Sequence, residues 1–183
     1  VYAIIMEATK TIDLTKIQES IENVWETGKI PFFFDTTGNA ETFLKYSCSI
    51  AEIAKLQIGI QIGSTSIEEA KEEIRLRFKG AMGYGKPLVF FLDKVAGKFN
   101  SDYFDPDYVP EEIFDPVKIK DFDTYIKCVR EEENVDRFGG KGNFMMADEF
   151  KVVVVSTRDI DDEDNHEFAD RMPMDNMEII KIS

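Results

Sequence analysis

Three almost uninterrupted apolar runs constrain this chain more than any other feature. They are Ile30-Pro31-Phe32-Phe33-Phe34, Leu88-Val89-Phe90-Phe91-Leu92, and Phe150 followed after Lys151 by Val152-Val153-Val154-Val155. A strand with one wet face alternates apolar and polar residues. A run without alternation has both faces buried. Covering both faces of a sheet takes helices above and below it, and strands in such sheets run mainly parallel, joined by crossovers.

The segments between the runs supply helical patterns. Residues 13–26 place Leu14, Ile17, Ile21 and Val24 at spacings of three and four, with Asp13 as cap and Gly28 as stop. Residues 40–55 put Phe43, Leu44, Cys48 and Ala51 on one helix face. Residues 66–81 open on a capping box of Ser66 and Glu69, carry Ile67, Ala70, Ile74 and Phe78 as a stripe, and end among Gly80, Gly83 and Gly85. Residues 117–133, with Ile119, Phe122, Ile126 and Val129, read as a further helix. Residues 56–62 and 177–182 alternate and predict strands. Residues 102–116, rich in Asp, Pro and Tyr, read as an irregular excursion, and residues 138–143 as a flexible loop. The expected fold is α/β: a three-layer αβα sandwich around a mainly parallel, five-stranded sheet.

Residues 1–11 read as an N-terminal extension, with Val1 to Met6 a short strand or packed segment. Residues 12–183 read as a single domain with an irregular insertion at about 94–149. The sequence opens on Val1, not Met, which suggests a piece of a longer chain. The opening apolar run is too short to span a bilayer and lacks the pattern of a signal peptide.

Charge narrows the function classes. Lys plus Arg is 22 against 36 Asp plus Glu, a net charge of −14. That argues against non-specific nucleic-acid or anionic-lipid binding, since both require a basic face. Two cysteines, Cys48 and Cys128, and one histidine, His166, make neither a disulfide scaffold nor a multi-histidine metal site. A reducing compartment, cytoplasmic or cytoskeletal, is the expected setting.

Open parallel sheets bind ligands beyond the carboxyl ends of their strands, so the residues after each run matter most. After the first run comes Asp35-Thr36-Thr37-Gly38-Asn39-Ala40-Glu41-Thr42, then a helix. The position and length match a phosphate-binding loop, whose pattern is Gly-x-x-x-x-Gly-Lys-Ser/Thr. Gly38 and Thr42 stand in register. Asp35 takes the first glycine, Ala40 the second, and Glu41 the lysine. An ordinary strand-turn-helix with an acidic residue near the helix start fits the same residues. The second run ends in Asp93, followed by Lys94, and the third in Ser156-Thr157-Arg158.

Taken in order, these features resemble the AAA+ branch of the P-loop NTPases. The resemblance covers about residues 12–183. It implies that Gly38, Asn39, Ala40, Glu41 and Thr42 form the phosphate loop, that Thr42 and Asp93 would hold magnesium, and that Thr157 and Arg158 lie at the γ-phosphate sensor. Arg171 lies near the place of an arginine finger. Lys94 stands where the family carries the glutamate that orients water. The family's helical lid is expected to be missing, since the sequence stops at Ser183.

With Glu41 and Lys94 replacing the two residues hydrolysis most needs, the expectation is a catalytically inactive AAA+-like module. It would have no cofactor and would act as a structural or interaction domain with other protein subunits in a larger assembly, of cytoskeletal or motor type by family analogy. An active ATP- or ADP-binding protein with magnesium, using Lys45, Lys94 or Lys141 as the missing cation, is the alternative. An unrelated α/β protein is the third reading. Strand order separates it, because the family does not place the Asp93 strand next to the loop strand.

Among the remaining candidates, Asp159, Asp161, Glu163 and Asp164 read as a solvated acidic loop, lacking the glycine and glutamate of a calcium loop. Gly139-Gly140-Lys141-Gly142 reads as a turn, and His166 as a loop residue. The aromatics Tyr103, Phe104, Tyr108 and Phe114 fit either a protein-binding excursion or a lid packed on its own domain.

Overall fold

The three apolar runs become the centre of one parallel sheet in a computed structural model that describes residues 6–183. Its strands are β1 (Lys10–Ile12), β2 (Ile30–Phe34), β3 (Ser49–Glu52), β4 (Leu88–Asp93), β5 (Val152–Ser156) and β6 (Met177–Ile182). The helices are α1 (Ile17–Glu26), α2 (Asn39–Leu44), α3 (Ile53–Gln61), α4 (Ile67–Tyr84), α5 (Phe122–Tyr125) and α6 (His166–Arg171). Strand order is β1-β6-β2-β5-β4-β3, and every pairing is parallel.

Pleating splits each run between two faces. Phe32, Phe34, Leu88, Phe90, Val152 and Val154 point to one side, where Ile74 and Phe78 of α4, the insertion and Phe168 of α6 cover them. Phe33, Val89, Val153 and Val155 point to the other, against Ile17, Ile21 and Val24 of α1 and Ala40 and Leu44 of α2. Helices therefore cover both faces, as the lack of alternation requires.

α4 forms as read. Ser66 Oγ accepts from the Glu69 N–H at 3.1 Å, and Glu69 Oε2 accepts from the Ser66 N–H at 2.7 Å. Gly80 and Gly83 lie inside the helix, and Gly85, at φ +68°, ends it.

Several expectations are corrected. Among the described residues the sheet has six strands rather than five, because Lys10–Ile12, which straddles the expected boundary between the extension (1–11) and the domain, pairs with β6. The reading of Val1 to Met6 as a strand falls almost wholly outside the described residues. Residues 56–61 are helical, within α3, and Ile62 is its C-cap. Leu56 and Ile60 pack on the core at a spacing of four, while Ile58 and Ile62 stand exposed. Residues 40–55 are not one helix: α2 ends at Leu44, and Ser49–Glu52 pairs with β4 at the sheet edge. Residues 117–133 break into short turns and α5. Residues 166–171, including His166, form α6 rather than a loop.

The excursion packs on its own domain. Phe114 stacks on Phe90 at 5.1 Å, Tyr103 meets Phe99 at 5.4 Å, and both Tyr103 and Phe114 are buried. Tyr108 stays exposed, with the Arg130 guanidinium 5.9 Å from its ring centre.

Candidate functional site at the strand ends

Parallel pairing brings the ends of β2, β5 and β4 side by side, in that order. Phe34 pairs with Ser156, and Asp93 with Ser156. The ladder continues past the strands: the Asp35 N–H donates to Ser156 O at 2.9 Å, and the Thr157 N–H to Asp93 O at 2.9 Å. Residues 35–42, Asp93 and Thr157–Arg158 thus share one edge, the edge at which such sheets bind ligands.

The β2–α2 turn is closed by its own carboxylate. Asp35 is 1% exposed. Its Oδ1 accepts from the Thr37 N–H at 3.0 Å and the Thr37 hydroxyl at 2.6 Å. Its Oδ2 accepts from the Ala40 N–H at 2.6 Å. Gly38 caps α2 at φ +75°, a left-handed conformation that suits glycine. The Gly38 N–H goes to Asp35 O, the Asn39 N–H to Thr37 Oγ1 and the Thr42 N–H to Gly38 O. A phosphate loop works by leaving such amides free for an anion. Here each of these amides already has an acceptor inside the loop, and for Thr37 and Ala40 that acceptor is the Asp35 carboxylate.

Glu41, in the lysine position, is buried, and its Oε1 pairs with Lys45 Nζ at 2.5 Å. That pairing raises the Lys45 pKa. The Lys45 ammonium is therefore held by its own helix, four residues on. Thr42 is exposed, and its hydroxyl donates to Gly38 O at 3.3 Å.

The neighbouring ends are also taken up. Asp93 adopts φ +49°, a left-handed conformation that a short polar side chain tolerates. Its Oδ1 accepts from the Thr157 hydroxyl at 2.7 Å. Lys94 Nζ donates to Thr157 O. Arg158 donates from Nε to Lys94 O at 2.7 Å, from Nη1 to Asp164 O at 3.0 Å and from Nη2 to Glu167 Oε2 at 2.7 Å. Its guanidinium also sits 5.0 Å from the centre of the Phe168 ring. The Arg158 hydrogen bond holds the Glu167 carboxyl below its usual range. Arg171 pairs with Glu167 at 3.4 Å. Arg158 therefore ties β4 and β5 to α6.

All eight residues read from the sequence lie at or beside this edge. Only Asp93, Thr157 and Arg158 form one bonded group, linked through Lys94. Residues 38–42 form a second, centred on Asp35. The acidic loop is a set of turns leading into α6: the Asp161 N–H bonds Asp159 Oδ1 at 3.0 Å, and the Asp164 N–H bonds Asp162 Oδ1 at 2.9 Å. Among the described residues, no cluster of three or more His, Cys, Asp or Glu is placed to hold a metal ion.

Two features went unread in the sequence. The motif places Asp35 only in the position of the first glycine of a phosphate loop. Its signal was an Asp at a strand end with a hydroxyl residue two positions on, the pattern of an Asx turn. The other is Arg75 of α4, at 1% exposure. It meets Glu72 at 2.8 Å, Glu133 at 2.7 Å and Cys128 O at 2.8 Å, and so clamps the insertion to α4. These contacts raise its pKa, and the Arg75 hydrogen bond holds Glu133 at about 2.

Compared with known proteins, the chain matches no family model, no curated protein and no solved structure.

Proposed function

We propose that this is a catalytically inactive, AAA+-like domain that serves as a structural and protein-interaction module in a larger assembly. The observation that carries the reading is the buried Asp35 carboxylate, bonded to the Thr37 and Ala40 amides where a phosphate group would have to lie. Glu41 adds a second anion in the lysine position. At about 4 Å and an effective dielectric near 20, a carboxylate in place of an ammonium changes a phosphate contact from roughly 4 kcal/mol of attraction to a similar repulsion, before screening. Lys45 offsets part of that charge through its pairing with Glu41.

The strand order supports the AAA+ part of the reading. β5 lies between β2, which leads into the loop, and β4, which ends in Asp93. That is the separation the resemblance implies, and a chance ordering of motifs does not require it. A cytoskeletal or motor assembly in a reducing compartment is the setting by family analogy. Cys48 and Cys128, both free and buried, suit it.

The test is titration with a fluorescent ADP or ATP analogue, with and without magnesium. No saturable binding up to about millimolar nucleotide, the weak end of specific affinity, is expected. Saturable binding overturns the reading. ATP turnover lost in Asp93→Ala would then establish the alternative, a nucleotide-binding protein or ATPase with a non-standard loop.

A further inference from the structure

The insertion carries a surface that the core does not account for. Phe138 is 97% exposed and Met145 74%, and Phe122 and Val135 also face solvent. All four line one open cleft of about 790 Å³ beside Gly83 of α4. Single exposed apolar residues are ordinary. Four large ones around one cleft mark an interaction site.

The floor of the cleft is fixed. Phe144 is buried, and its N–H donates to Asn134 Oδ1 at 2.9 Å. The Ala147 N–H donates to Met82 O at 2.9 Å. The Phe144 ring lies against Gly83 of α4, 3.4 Å from where a Cβ would stand, an ordinary packing distance.

The rim is acidic. Asp148 and Glu149 line this cleft, and Glu131 and Glu132 line an adjoining one that shares Val135. All four are exposed, and none is in an ion pair among the described residues. With Asp136 they make five carboxylates against two cations, Arg137 and Lys141, on a chain of net charge −14.

We propose that this cleft docks a segment of a partner protein whose apolar side chains are flanked by Lys and Arg. The apolar side chains would pack on Phe138 and Met145, and the cations would meet the unpaired carboxylates. A second copy of this chain would bring two acidic rims together, which like-charge repulsion opposes. Methionine adapts its shape to its contacts, which suits a peptide site. The proposal rests on the interaction-module part of the reading above and is independent of the state of the nucleotide loop.

The test uses the 183-residue chain and a labelled synthetic peptide of Leu and Lys at helical spacing, about 15 residues long so that it can form a helix. A counterpart with Glu for Lys is the control. The Leu/Lys peptide is expected to bind saturably and the Leu/Glu peptide not to bind. The double change Phe138→Ser/Met145→Ser leaves the charge intact and alters only exposed side chains, so the protein stays folded by thermal unfolding. It should weaken binding about tenfold or more, as loss of interface anchors does. Unchanged affinity in the double variant would show charge attraction alone and overturn the proposal, as would absence of binding. Self-association abolished by the same variant would replace the partner with a second copy. Peptide binding together with nucleotide binding would keep this proposal and sink the inactive-loop reading. Failure of the peptide alone would do the reverse.

Discussion

Replacing Asp35 by alanine probes the feature on which the functional reading depends. The side chain supplies three acceptor contacts: the Thr37 amide, the Thr37 hydroxyl and the Ala40 amide. Thr37 is exposed, and water can replace its partner at little cost. The Ala40 residue is fully buried, so its N–H has no such recourse. An unsatisfied buried donor costs about 1–3 kcal/mol. Releasing a carboxylate from burial offsets part of this. The net expectation is about 1–2 kcal/mol of destabilisation, a fall in Tm of roughly 2–8 °C for a chain of this size. Asp35→Asn keeps one acceptor and should lose about half as much.

Thermal and urea unfolding read the stability change. A second readout is inorganic phosphate. If the carboxylate occupies the anion position, phosphate should stabilise Asp35→Gly and leave the parent chain unmoved. The gain would be about 1.4 kcal/mol at tenfold excess over Kd. An Asp35→Ala variant within about 0.5 kcal/mol of the parent, the range of ordinary surface changes, would refute the account of the loop. So would phosphate stabilisation of the unmutated protein.

The other predictions concern the clamp on the insertion. Arg75→Met should cost about 3–5 kcal/mol, because it leaves Glu133 and the Cys128 carbonyl without their buried partner. Hydrogen exchange should show residues 126–134 opening first, and uniform exchange across the domain would count against the clamp. Acid should weaken the same contact. Arg75 holds Glu133 at about 2, below the ordinary 4.5, so the folded state binds fewer protons than the unfolded state. That stability is fully present above the ordinary value and is lost as pH falls from there through about 2. With solvent screening it amounts to roughly 1–3 kcal/mol. Urea midpoints measured across that window should flatten in Glu133→Gln, and an unchanged slope would assign the acid sensitivity elsewhere.

The sequence alone determined the layers and most of the long elements. Runs without alternation at Ile30–Phe34 and Val152–Ser156 could be satisfied only between two helical layers, and the Ser66 capping box fixed the start of α4 locally. These features are legible because they depend on residues close in the chain. Tertiary structure decided what depends on partners distant in sequence. Ser49–Glu52 is too short to declare itself and becomes a strand by pairing with β4. Residues 56–62 satisfy a period of two as well as a period near four, and packing of Leu56 and Ile60 selected the helix. The candidate site followed the same division. Its residues could be placed at the strand ends from the motif order. The Asx turn from Asp35 to Thr37 is local and leaves its mark in the spacing, whereas that Thr157 binds Asp93 and that Arg158 bridges Lys94 and α6 are hydrogen bonds set by the packing of β4, β5 and α6, on which residue spacing carries no information.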